Sequence, residues 1–179
     1  MKLVILDRDG VINQDSVNYI KNANEWIPIP GSLESIATLN QHGFNVVIAT
    51  NQSGIGRGLF DISSMNDINE KMLKLLKKVG GHIDTIFYCP HTTKDNCNCR
   101  KPKTGMLHEI SERLETNLKN VPAVGDALRD LEAYHSVEAQ PILVKTGKGQ
   151  ETALARMYPK NTWIFNDLAE AVEQIIKKY

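Results

Sequence analysis

Short apolar runs recur along the chain: Leu3 to Leu6, Phe44 to Ala49, Ile83 to Tyr88, Pro122 to Val124, Ile142 to Val144 and Thr162 to Phe165. They read as strands buried in a parallel sheet. Between them apolar residues recur at helical spacing, as in Leu33, Ile36, Ala37 and in Met65, Ile68, Met72, Leu75, Leu76, Val79. Leu107, Ile110, Leu114 and Leu168, Ala171, Val172, Ile175 repeat the pattern. Each set gives a helix one apolar stripe to lay on the sheet. Gly43 can close the helix before Phe44, and Asp167 with Glu170 can form a capping box for the last helix. Strands alternating with helices predict an α/β fold, a doubly wound parallel sheet. Its ligands gather beyond the carboxyl ends of the strands, near the switch in strand order.

A chain of 179 residues suits one domain spanning 1–179, large enough to bury a core without disulfides. Twenty-one basic and 21 acidic residues balance, and no polybasic run suggests nucleic acid or an anionic membrane as a partner. The apolar run before Asp7 is shorter than the roughly 7–15 residues of a signal-peptide core, and no later stretch is long enough to span a bilayer. The expectation is a cytoplasmic monomer that handles a small substrate with local charge.

That local charge lies just after the predicted strands. Asp7 and Asp9 leave the first strand two positions apart, so both carboxylates can point to one side and converge on a ligand. A carboxylate attacks a phosphoryl group well only when a cation offsets the negative oxygens, and magnesium, which prefers oxygen ligands, meets that need. By itself an Asp-x-Asp pair is equally compatible with a polar turn. After the second strand, Thr50-Asn51-Gln52-Ser53-Gly54 offers a hydroxyl and backbone amides for phosphate oxygens. Arg100 and Lys101, followed by Pro102, can supply charge to a transferring phosphate and to a second anionic group. Val124-Gly125-Asp126 closes another strand, with Asp130 four residues on, and Asp126 can complete a magnesium shell. Acidic pair, hydroxyl, lysine and acid at successive strand ends are much rarer together than any one alone. The spacing Gly54-Ile55-Gly56-Arg57-Gly58 does not match a dinucleotide fingerprint, which counts against a nicotinamide or flavin enzyme.

All three cysteines fall in one short segment. Cys89-Pro90-His91 and Cys97-Asn98-Cys99 supply three thiolates and an imidazole, a closed tetrahedral set for zinc in a loop of about residues 89–99. With four protein ligands zinc would organise the loop and leave no position open to activate water. The same loop delivers Arg100 and Lys101, so anchoring it would reduce the freedom of both cations.

Asp7-Arg8-Asp9-Gly10, Thr50-Asn51-Gln52, Lys101, and Gly125-Asp126 through Asp130 together resemble the four motifs of the haloacid dehalogenase superfamily. The resemblance implies a Rossmann-like three-layer fold with no large cap domain, and a phosphatase working through an aspartyl phosphate. It implies Asp7 as nucleophile and Asp9 as general acid, then base, with Asp7's charge helping to keep Asp9 protonated. Thr50 and Lys101 would steady the phosphoryl oxygens. Magnesium would be held by the Asp7 carboxylate, the Asp9 carbonyl and Asp126, with Asp130 in support. Within the superfamily, the cysteine loop with Arg100-Lys101-Pro102 and Thr50 to Ile55 is similar to the subgroup joining heptose-bisphosphate and histidinol-phosphate phosphatases. That implies removal of the 7-phosphate of a heptose 1,7-bisphosphate in nucleotide-activated heptose and lipopolysaccharide core synthesis, with histidinol phosphate as the alternative substrate. Implied substrate contacts are Asp15, Asn18, Thr50, Asn51, Gln52, Ser53, Arg100 and Lys101, with Arg100 serving the distal phosphate. A different class of reading, an inactive zinc-stabilised binding module, fits poorly with neutral charge and an intact set of acids.

Overall fold

The computed structural model describes residues 1–179. Six strands form one parallel sheet: β1 (Lys2–Leu6), β2 (Phe44–Asn51), β3 (Thr85–Cys89), β4 (Pro122–Gly125), β5 (Gln140–Val144) and β6 (Trp163–Phe165). Their order is β3-β2-β1-β4-β5-β6, so the chain reverses its winding direction between β1 and β4. That is the doubly wound arrangement expected from the alternating pattern, and it places the ligand crevice beyond Leu6 and Gly125. The third strand begins at Thr85, not Ile83. Asp84 turns its carboxylate to the Val46 N–H at 2.7 Å, so the preceding residues stay out of the ladder.

Seven helices cover the sheet: α1 (Ser32–Gln41), α2 (Ser53–Gly56), α3 (Ile62–Lys78), α4 (Gly105–Arg113), α5 (Leu128–Ser136), α6 (Gly149–Ala155) and α7 (Leu168–Lys178). Alternation along each strand divides the core. Val4 and Leu6 of β1, with Val46, Ile48, Val124, Ile142 and Val144, pack with α1, α3 and α7. Leu3, Ile5, Val47, Ala49 and Ala123 pack with α4 and α5 on the other face. The result is three layers, with no large inserted cap. Helix α6 buries only Gly149, which is why no apolar stripe announced it. Helix α1 ends at Gly43, whose φ of 78° is the left-handed geometry a helix stop needs. The last helix is capped differently from a reciprocal box. Asp167 accepts from the Glu170 N–H, but Glu170 reaches back to the N–H of Asn166, one residue further.

The long connection from β1 to α1 crosses the end of the sheet that carries the acids. Its Trp26 is fully buried in the core, and Lys71 of α3 donates to the carbonyls of Ala23 and Trp26 at 2.6 and 2.7 Å. No helix of the chain is long and apolar enough to cross a membrane.

Candidate active site

Asp7 and Asp126 follow adjacent strands, and Asp130 lies in the first turn of α5, so the topology brings three buried carboxylates together. Oxygens of Asp7, Asp126 and Asp130 lie within 4.8 Å of one another. Lys101 enters from the segment before α4, and its buried Nζ lies 3.2 Å from Asp7 Oδ1 and 2.8 Å from Asp130 Oδ1. It also donates to the Ala49 carbonyl at 2.7 Å. One lysine does not balance three acids. Burial, with repulsion from Asp130 and Asp9 against attraction by Lys101, raises the Asp7 carboxyl to about 6. Burial, Asp130 and Asp7 together raise Asp126 to about 8. Asp130 is lowered: burial pushes it up, but Lys101 and Arg129 outweigh that.

The donor set fits a small hard cation. Asp126 Oδ2 accepts the Lys148 N–H at 2.8 Å, while Oδ1 is buried with no partner. An unpartnered buried carboxylate oxygen beside a second carboxylate is what a magnesium ion would satisfy. The Asp9 carbonyl, on the same turn, accepts no hydrogen bond from the fold and is available to the same ion. Asp130 is already occupied by Lys101 and by the Ala127 N–H, which suits a supporting place over a direct ligand. Two glycines let the loops close to this distance. Gly10 (φ 84°) and Gly147 (φ 56°) both face Asp126, and a Cβ on either would collide with its carboxylate.

The Asp9 side chain departs from expectation. It is gripped by Arg8 (Nε to Oδ1, 3.1 Å), by Asn13 Nδ2 at 2.9 Å and by Gln52 Nε2 at 2.9 Å. Burial pushes its carboxyl up, but Arg8 with the Asn13 and Gln52 hydrogen bonds wins, so the net shift is downward. Asp7 therefore does not keep Asp9 protonated in this arrangement. The buried Arg8 guanidinium dominates.

A cavity of about 180 Å³ opens over the acids, lined among others by Asp7, Asp9, Asp15, Thr50, Gln52 and Ser53. Asn51 and Arg100 also border it. The Asn51 amide, however, pairs reciprocally with the Lys101 backbone, Nδ2 to O at 3.0 Å and Oδ1 from N at 3.1 Å, so it positions the lysine. Lys101 lies buried below the cavity, and Asn18 is exposed and outside its lining. Sequence reasoning missed Lys148, Thr146 and Asn13. Lys148 borders the cavity and reaches Asp15 at 3.5 Å, and Thr146 Oγ1 donates to the Gly10 carbonyl at 2.6 Å. Their signal was available, because both follow directly on the strand ending at Val144.

The cysteine loop gathers as its spacing predicts. Cys89 Sγ lies 3.6 Å from Cys97 Sγ, 3.1 Å from Cys99 Sγ and 3.6 Å from His91 Nδ1, and His91 Nδ1 lies 3.3 Å from Cys99 Sγ. Ligands about 2.0–2.3 Å from one tetrahedral zinc stand roughly 3.3–3.8 Å apart, a spacing that these pairs match except for Cys89 and Cys99, whose sulfurs would have to separate slightly to admit the ion. Burial and the neighbouring thiols push Cys89 up to about 12. For Cys97 burial opposes ionisation, but the Arg100 N–H and the other two thiols bring it down to about 7. Arg100 is tied to the loop through a 3.4 Å hydrogen bond to the His91 carbonyl.

Comparison with known proteins agrees with this geometry. Residues 2–151 match the family described as Polynucleotide kinase 3 phosphatase. A D-glycero-beta-D-manno-heptose-1,7-bisphosphate 7-phosphatase of Bordetella bronchiseptica is 49% identical over 178 residues, covering 99% of each chain. Among solved structures, the D,D-heptose 1,7-bisphosphate phosphatase of B. bronchiseptica, complexed with magnesium and phosphate, superposes with a TM-score of 0.98 at 49% identity over 100% of both chains. The corresponding enzyme of Burkholderia thailandensis gives a TM-score of 0.80 at 43% identity, covering 99% of this chain and 100% of its own.

Proposed function

Since the chain belongs to the haloacid dehalogenase-type phosphatases, and among them to the heptose 1,7-bisphosphate 7-phosphatase family, we propose that it removes the 7-phosphate of D-glycero-β-D-manno-heptose 1,7-bisphosphate. The observation that carries this reading is that the buried Asp7-Lys101-Asp130 cluster opens, through Asp7, into a cavity whose wall includes Arg100 from the end of the cysteine loop. The cluster is suited to phosphoryl transfer, and Arg100 to a substrate bearing another phosphate. A single phosphate, as on histidinol phosphate, would leave Arg100 without its ligand. The β anomer follows the relatives' substrate, and the product would feed nucleotide-activated heptose synthesis.

Asp7 is assigned as the nucleophile. Its Oδ1 takes the Arg8 N–H and Lys101, which leaves Oδ2 to attack phosphorus in line with the leaving oxygen. As the Asp7–phosphorus bond forms, the bond from phosphorus to the C7 oxygen breaks, and Asp9 gives that alkoxide a proton. For this Asp9 must first take up a proton and loosen from Arg8 and Gln52. Gln52 also donates to Thr50 Oγ1 at 2.9 Å, so a phosphoryl group settling on Thr50 would disturb the Gln52–Asp9 bond. In the second step Asp9 takes a proton from water, water oxygen bonds to phosphorus, and the Asp7 carboxylate is released. Lys101 and Thr50 hold the phosphoryl oxygens through both steps. Magnesium held by Asp7, Asp126 and the Asp9 carbonyl would supply the positive charge that offsets those oxygens. Zinc on Cys89, His91, Cys97 and Cys99 would fix the backbone that presents Arg100.

The test is turnover by magnesium-loaded protein of the heptose bisphosphate, histidinol phosphate and a 3′-phosphorylated oligonucleotide, with 31P NMR locating the phosphate retained. Selective release of the 7-phosphate supports the assignment. Faster hydrolysis of either other substrate overturns it.

A further inference from the structure

Arg129 is the one cation bordering the cavity that has no partner in the fold. Arg100 donates to a carbonyl, Lys148 pairs with Asp15, and Lys101 below is shared by Asp7 and Asp130. Arg129 makes no hydrogen bond and no ion pair, although its Nε is fully buried. The surrounding acids are engaged elsewhere. Asp130 holds Lys101 and the Ala127 N–H, and Asp7 holds Lys101 and the Arg8 N–H. Asp126 accepts from the Lys148 N–H through Oδ2 and turns its unpartnered Oδ1 to the cation site, and Asp15 accepts from the Ser16 N–H as well as pairing with Lys148. A buried guanidinium nitrogen without an acceptor is destabilising, and an anion entering from solvent is the partner that relieves it.

The position indicates which anion. Arg129 and Arg100 border both the active-site cavity and the neighbouring one under the cysteine loop, which Thr92, Asn96 and Lys103 also line. They therefore form a shared wall of two guanidinium groups, one from the first turn of α5 and one from the loop. The phosphoryl group being cleaved already has Thr50 in the cavity lining and Lys101 buried just below it. We infer that Arg129, together with Arg100, binds the phosphate that the substrate keeps, and so selects a bisphosphorylated sugar over its monophosphate. This rests on the bisphosphate reading above. Two planar forks on one phosphate also fix the sugar's orientation, which determines which phosphate reaches Asp7.

Steady-state kinetics of wild type, Arg129→Gln and Arg129→Lys on the heptose 1,7-bisphosphate and on heptose 7-phosphate test the inference. Arg129→Gln should raise KM for the bisphosphate about 10–100-fold, in line with losing one or two charge-assisted hydrogen bonds, with kcat within about threefold. Its kcat/KM on the monophosphate should fall by no more than about threefold, and Arg129→Lys should recover part of the loss. Equal losses on both substrates, a fall in kcat at constant KM, or no change overturns the assignment. A second pair, fructose 1,6-bisphosphate against fructose 6-phosphate, separates the two claims. An Arg129-dependent preference for that bisphosphate, without turnover of the heptose, upholds this inference and rejects the heptose substrate. If neither pair turns over, both are titrated calorimetrically into magnesium-loaded protein. No Arg129-dependent preference for a bisphosphate in binding again overturns the assignment.

Discussion

The acid centre and the cysteine loop lie one residue apart at Arg100 and Lys101, yet they are built in opposite ways. The acids come from distant parts of the chain, Asp7 after β1 and Asp126 after β4, and the sheet holds them buried at its switch point. The loop draws all four of its ligands from residues 89–99, and apart from Cys89 they are partly or fully exposed. In the first case the fold compels like charges together. In the second, little apolar burial holds the segment, and the ligands themselves are the contact. The acid centre is thus deeply buried but electrostatically frustrated, and the loop is free of that frustration but under-packed. A cation would serve the two in different ways, lowering repulsion in one and replacing a missing core in the other.

The largest effects should come from the acid centre. Asp7→Asn should lower kcat by about 10⁴-fold or more, because the attacking oxygen is lost while Lys101 keeps Asp130 as its partner. Thermal melting should show a fold near wild-type stability. Turnover within a factor of about ten of wild type would rule out Asp7 as nucleophile. Lys101→Met should cost about 3–5 kcal/mol in urea denaturation, since it leaves Asp7 and Asp130 buried without the cation they are paired to. An unchanged urea midpoint would mean that the acids are neutral in the folded protein.

Damage to the loop should be smaller and differently distributed. Cys97→Ser should release zinc, measured by plasma emission, and open residues 89–103 to hydrogen exchange while β1 and β4 stay protected. KM should rise about tenfold through Arg100, with kcat less affected. Exchange that spreads into β1 and β4 would show that the two regions are one cooperative unit, contrary to the contrast drawn above.

The contrast also accounts for what was legible in the sequence. The loop could be read directly, because its ligands are neighbours in the chain. The acids could be read only through the fold: strand ends named Asp7, Thr50 and Asp126, and the parallel order then placed them together. Side-chain commitments could not be read in this way. Nothing in Asp7-Arg8-Asp9 says that Arg8 turns inward to hold Asp9, and nothing in Thr50-Asn51-Gln52 says that the Asn51 amide spends its polar atoms on the Lys101 backbone. Asn18 failed for a related reason. The turn before it, where Ser16 Oγ accepts the Asn18 N–H, leaves the residue exposed outside the cavity, whereas its neighbours Val17 and Tyr19 border it. Lys148 went unnoticed because α6, which it immediately precedes, buries no apolar stripe to mark its start.

The smallest effect expected is a pH dependence peculiar to the acid centre. Asp7 at about 6 and Asp126 at about 8 both lie above the ordinary value of 3.8, so in metal-free protein each binds its proton more tightly folded than unfolded. Their contribution to stability is full below about pH 4 and is lost as pH rises through 6 and then 8. Asp130, shifted downward, acts in the opposite sense, but only below its unfolded value of 3.8, outside this window. Metal-free protein should therefore melt a few degrees lower at pH 8 than at pH 5.5. Magnesium replaces the protons on Asp7 and Asp126, so the melting temperature it restores should grow across the same interval. Zinc in the loop also displaces protons, but from thiols, so its increment should keep growing above pH 8, where the magnesium increment levels off. A magnesium increment that is flat from pH 5.5 to 8 would show that the ion binds away from Asp7 and Asp126.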